Sequence, residues 1–133
     1  MRNDEAHLRH DAAARAELGC PHYAGIFALG ASVGLIGSIG IENVESRALE
    51  LNRYLTDRLI DSGWKVLSPI EDDSTRSAQT LVAAADPAQL VNKLSSQKII
   101  VTEKPQGIRV ATDFFNSEAD IDRLIEALGN YSG

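Results

Sequence analysis

Few residues in this chain have the types and spacing to do chemistry, and one arginine stands apart from the rest. Arg109 lies inside the short run Ile108–Thr112, between Ile108 and Val110. A charged side chain among apolar neighbours needs a partner, which is either an internal carboxylate or a ligand. Arginine's planar fork takes a carboxylate through two parallel hydrogen bonds, and a strand holds that fork more rigidly than a loop does. Asp113, four residues on, is the obvious internal partner. From the residues alone the two readings stand level, because displaced charges occur at structural and functional places alike.

The other candidates are weaker. Cys20 and His22 could form a thiolate pair, but side chains two apart do not face each other on a helix. His7 and His10 fall in a charged lead-in and read as solvated. No Cys/His cluster has zinc spacing, so no metal is expected, and neither a phosphate loop nor a dinucleotide glycine fingerprint is present. Asp72 with Asp73, and Asp120 with Asp122, read as a solvated loop and a helix start rather than as catalytic carboxylate pairs.

The elements that must position Arg109 follow from periodicity and punctuation. Residues 1–18 mix both charge signs around a short helix, Asp11–Leu18, and are expected to be partly disordered; residues 19–133 are expected to form a single α+β domain. A glycine-rich helix apolar on every side covers Tyr23–Ser38 and calls for burial or a partner surface. An amphipathic helix follows over Ile41–Ser62, with Ile41, Val44, Ala48, Leu51, Leu55 and Leu59 on one face. Strands are predicted at Trp64–Ser68, Ser77–Ala84, Ile99–Thr102 and Ile108–Thr112, the last two joined by a turn at Pro105–Gly107. Asp86 caps a helix that runs to Gln97, and Ser117 with Asp120 caps another that runs to Leu128. The expected architecture is two N-terminal helices, then β-β-α-β-β-α: a mostly antiparallel four-stranded sheet with helices on one face.

At 133 residues the chain can bury an ordinary core without staples. Its net charge of −6 weighs against nucleic acid or an anionic membrane as the main partner. One cysteine rules out an internal disulfide and fits a reducing, cytoplasmic setting. Ala24–Ile41 is almost long enough to cross a bilayer but lacks Trp, Lys or Arg anchors at its ends, so no membrane partner is expected.

Gly107-Ile108-Arg109-Val110-Ala111, followed by Phe115-Asn116-Ser117-Glu118-Ala119-Asp120-Ile121-Asp122, resembles the C-terminal end of the class V aminotransferases. These are pyridoxal-phosphate enzymes of fold type I, the superfamily of isopenicillin-N epimerases, kynureninases and cysteine desulfurases. Gly19-Cys20-Pro21-His22-Tyr23 resembles the Gly-Thr-Pro-Asn motif that opens the small-domain portion in that family. The resemblance implies that Arg109 binds the α-carboxylate of an amino-acid substrate. It implies that Cys20 stands where a threonine touches the cofactor phosphate of a neighbouring subunit, and His22 where asparagine is usual. Asp113 stands where many relatives carry histidine.

The family's large domain holds the lysine that anchors the cofactor, and Lys65, Lys93, Lys98 and Lys104 have no such context; Lys104 is placed in a surface turn. Val101–Gly107 is short and cysteine-free, unlike the loop that carries the catalytic cysteine of desulfurases. The expectation is therefore a C-terminal fragment that contributes Arg109, binds no cofactor alone, is inactive alone, and partners itself or a large pyridoxal-phosphate-binding domain. The alternatives are a non-catalytic, self-associating interaction module and a sensor of small acidic ligands.

Overall fold

The computed structural model describes residues 19–129. The charged lead-in, its expected short helix, His7 and His10 lie outside the described residues. The chain divides into two compact units between Ser38 and Ile39.

The first unit contains most of helix α1 (Tyr23–Ile39), at the expected place. It is apolar on every side, and none of its residues is buried. Among the described residues a Cβ at Gly30, Gly34 or Gly37 would meet nothing within 4 Å, so none of them supplies the close backbone approach that would justify those glycines. No single described helix is long and apolar enough to cross a membrane.

In the second unit, α2 (Ile41–Asp61) buries Ala48, Leu51, Leu55 and Leu59 of the predicted stripe, together with Asn52 and Thr56, while Val44 is half-buried and Ile41, at the helix's first residue, is exposed. Gly63 ends it in a left-handed conformation (φ 81°), which lets Gly63 N donate to Ile60 O and Trp64 N to Leu59 O, both at 2.9 Å. The remaining order is β1 (Gln79–Ala83), α3 (Pro87–Ser96), β2 (Thr102–Lys104), β3 (Gly107–Ala111) and α4 (Glu118–Gly129). The sheet is antiparallel throughout, with strand order β1-β3-β2. Asp86 Oδ1 accepts from Gln89 N at 2.9 Å to cap α3, and Pro87 opens it. Ser117 N donates to Asp120 Oδ2 at 2.9 Å where α4 begins, the predicted cap.

Two strand expectations need correction. Among the described residues the sheet has three strands, not four, so the order after α2 is β-α-β-β-α. Trp64–Ser68 makes only an isolated bridge, Val66 to Val82, flanked by Leu67 N to Leu81 O at 2.8 Å and Ala83 N to Lys65 O at 2.9 Å. Next along, the Ser68 hydroxyl takes the Leu81 N–H at 2.8 Å, and Pro69 follows. A side chain thus replaces the backbone acceptor, and the ladder cannot continue through a proline. The third predicted strand, Ile99–Thr102, is displaced to Thr102–Lys104. Its start is drawn into the end of α3, where Ile99 N donates to Leu94 O at 3.0 Å.

Alternation decides which side of the sheet is covered. Thr80 and Val82 on β1, and their partners Val110 and Ile108 on β3, face the helices. Val82, Val110 and Ile108 join Leu51, Leu55, Leu59, Leu90, Leu94, Ile121, Leu124, Ile125 and Leu128 in one core. Helices α2 and α3 pack on that face and α4 packs against α2, all three sharing this core, as expected for an α+β layer structure.

Candidate functional site

The opposite face of the sheet carries the residues out of phase with the core. Leu81 pairs with Arg109 and Gln79 with Ala111 across β1–β3, and Thr102 pairs with Arg109 across β2–β3. Ser68, Gln79, Leu81, Lys104 and Arg109 line an open cavity of about 280 Å³ on this face. Arg109 is half-buried, and its Nη2 donates to Thr102 Oγ1 at 3.3 Å. The expected alternative partner is not used: Asp113 Oδ1 accepts from Phe114 N at 2.8 Å, and Asp113 N donates to Asn116 Oδ1 at 2.9 Å. Among the described residues neither Arg109 nor Lys104 forms an ion pair.

Lys104, placed in a surface turn by sequence reasoning, instead ends β2 and joins Arg109 in the cavity. A two-residue connection, Pro105-Gln106, brings this about by pairing Lys104 with Gly107. Gly107 also presses against β1. A Cβ there would fall onto the Val82 carbonyl oxygen and within 3.0 Å of Ala83 Cα. Only glycine lets the hairpin approach β1 closely enough to set Arg109 beside Leu81.

Beneath one end of the face, buried polar groups fix the loop that carries Ser68. Asn52 Nδ2 donates to Thr80 Oγ1 at 2.8 Å, and each residue is 1% exposed. Arg76 reaches in from the loop, donating to Asn52 Oδ1 (3.3 Å), Thr56 Oγ1 (3.2 Å) and Ile70 O (2.6 Å). Asp73, read as a solvated loop carboxylate, pairs with Arg53 at 3.1 Å and Arg76 at 3.2 Å, and Arg53 chiefly holds it below its ordinary pKa. Periodicity marks Asn52 and Thr56 as lying on the α2 core side, but their partners 20 to 28 residues away leave no local signal.

The charged face of α2 likewise clamps α4. Arg47 grips Glu118 through two bonds of 2.9 and 3.1 Å, and this contact chiefly lowers the Glu118 pKa. Asp122 accepts from Tyr54 Oη at 2.9 Å and Arg58 Nε at 3.1 Å, and the first bond chiefly raises the Tyr54 pKa. Asp120 and Asp122 therefore serve a cap and a helix clamp.

Cys20 lies in the first unit, exposed and free, two residues before His22, whose ring rests where a Gly25 Cβ would stand. Among the described residues no group of three or more His, Cys, Asp or Glu side chains could hold a metal ion.

The aminotransferase class-V family model matches residues 2–124. The chain is 32% identical over 115 residues to isopenicillin N epimerase of Amycolatopsis lactamdurans, covering 79% of this chain and 28% of that protein. It is 29% identical over 90 residues to an uncharacterised aminotransferase of Schizosaccharomyces pombe, covering 68% of this chain and 22% of that one. The chain thus spans about a quarter of the length of these relatives. Among solved structures, a cysteine desulfurase of Thermococcus onnurineus NA1 superposes with a TM-score of 0.78 at 17% identity, over 86% of this chain and 32% of that one. An alanine–glyoxylate aminotransferase of Nostoc sp. superposes with a TM-score of 0.69 at 22% identity, over 88% of this chain and 33% of that one.

Proposed function

This chain belongs to the class V aminotransferase family, and on that premise we propose that it supplies the wall of an amino-acid site that holds the substrate carboxylate, with Arg109 as the residue that binds it. One observation carries the reading. Arg109 stands in an open cavity on the uncovered sheet face, held by a hydroxyl and by no carboxylate among the described residues. A guanidinium so placed keeps free donors for a bidentate partner. Leu81 beside it offers apolar surface for the carbon atoms of such a ligand.

The family's pyridoxal phosphate, which supplies the electron sink for chemistry on amino acids, does not find a complete holder in the described residues. None of Lys65, Lys93, Lys98 and Lys104 is buried, and the one carboxylate that shares a pocket with Lys98, Asp120, is engaged at the start of α4, where it accepts from Ser117 N. Pocket residues beyond these 133 would have to complete the site, so the chain by itself binds a carboxylate and turns nothing over. Cys20, at the phosphate-contact position by resemblance, would add at most a weak thiol donor. Its lone free thiol suits a reducing, cytoplasmic setting.

A second reading rests on α1. Tyr23, Ile26, Phe27, Leu29, Val33 and Leu35 are all more than half exposed, an apolar surface that favours a covering partner. A large cofactor-binding domain or a second copy of this chain would cover it, and sedimentation of the full chain reads the second case directly.

Borohydride reduction of the chain mixed with pyridoxal phosphate tests the inactive-wall reading. The expected result is scattered, substoichiometric lysine labelling and no amino-acid turnover. Stoichiometric labelling of one lysine with turnover would overturn it.

A further inference from the structure

The Arg109 cavity contains a second cation that a plain carboxylate leaves unused. Lys104 lines it together with Arg109, and no acidic residue does. On the β2–β3 ribbon Arg109 stands opposite Thr102, and Lys104 lies two residues further along the same strand. The two cations are therefore diagonal neighbours on one face, about 7–8 Å apart at their bases and within reach of one another through long side chains. Two positive groups so placed repel each other unless an anion sits between them. The ladder offers none on this face, because Glu103 pairs with Ile108 and is out of phase with Lys104. The rest of the lining is neutral. Ser68 Oγ accepts the Leu81 N–H and so keeps its own proton to donate, while Gln79 and Leu81 supply an amide and an apolar patch.

We infer that this site selects ligands with two acidic groups, four- or five-carbon dicarboxylates of the aspartate or glutamate type, one carboxylate held by Arg109 and the other by Lys104. The inference rests on the reading of Arg109 as a carboxylate binder and names the substrate class of that same site. The charge placement explains why the hairpin turn is short: a two-residue loop pins Lys104 at the ladder's end, where a longer loop would carry it away from the cavity.

Calorimetric titration of the full chain with succinate and with propionate, at one ionic strength, separates the two claims. The expected result is a preference for succinate of about fivefold or more, the upper range for a partly solvated ion pair. In Lys104→Met and Lys104→Gln the ratio should fall to about one, and Lys104→Arg should restore it. Propionate binding that Arg109→Ala abolishes, with no preference for succinate, overturns the dicarboxylate inference and leaves Arg109 in its role. A succinate preference that persists in both Lys104 variants overturns it equally. Binding of neither ligand overturns the Arg109 reading, and the inference falls with it.

Discussion

Arg109 donates to Thr102 Oγ1 at 3.3 Å across the β2–β3 ladder, while Asp113, four residues on, turns its carboxylate to the backbone of Phe114. Of the two roles open to an arginine in a strand, this pairing supports the ligand-binding one proposed above. A hydroxyl orients the guanidinium without neutralising it, so its charge stays available to a ligand. Thr102→Val keeps the shape and removes the acceptor. Carboxylate binding should weaken by about two- to fivefold, the worth of one ordinary hydrogen bond. Because Thr102 is exposed, stability should move by no more than about 0.5 kcal/mol. Calorimetry and urea unfolding on the same samples read the two effects.

Gly107 is the backbone counterpart of that arrangement. Its contact with the Val82 carbonyl leaves no room for a side chain. Gly107→Ala should cost about 1–3 kcal/mol, the range for forcing extra atoms into a packed site, and should push β3 from β1. The unfolding midpoint in urea measures the first effect, and loss of the β1–β3 amide protection in hydrogen exchange measures the second.

The Asn52–Thr80 pair is fully buried, so removing one partner is worse than removing both. Thr80→Val strands the Asn52 amide and should destabilise the chain by about 1–3 kcal/mol. Asn52→Leu combined with Thr80→Val should recover part of that loss, although Arg76 then loses one acceptor. A double-mutant cycle by equilibrium unfolding gives the coupling.

The α2–α4 clamps make stability depend on pH in two opposite ways. Arg47 holds Glu118 below its ordinary value of 4.5, so this contribution is present above that pH and fades as pH falls through the folded value. Asp122 holds the Tyr54 phenol above 10.0, so its contribution is present below that pH and fades as pH rises further. Arg47→Met should therefore differ from wild type at neutral pH and converge with it in acid. Tyr54→Phe should converge with it in alkali. Thermal unfolding across pH checks both signs.

Much of this fold was legible because its signals are local. From Ala48 on, the α2 stripe stands where periodicity put it, and the Asp86 and Ser117 caps and the turn at Pro105-Gln106 stand where local residue types put them. Strand limits were not legible, since pairing partners decide them. Trp64–Ser68 has the right alternation, but the Ser68 hydroxyl ends its ladder. Ile99–Val101 has strand residues, but α3 uses the Ile99 N–H. At the site, Arg109 announced itself as a charge in an apolar run. Lys104 did not, because a lysine beside a turn is ordinary until the hairpin register sets it next to Arg109. Arg76 was hidden for the same reason: its partners come from α2 and from Ile70 rather than from its own neighbours.

The central claim is that Arg109 holds a ligand carboxylate on the open face of the sheet. Arginine side-chain Nε–Hε resonances, followed by NMR while propionate is added to the full chain, test it most directly. The account predicts a saturable shift of the Arg109 resonance with matching shifts at the Leu81 and Thr102 amides, all lost in Arg109→Ala. An unmoved Arg109 resonance, or shifts confined to residues away from Ser68, Gln79, Leu81 and Thr102, would contradict it.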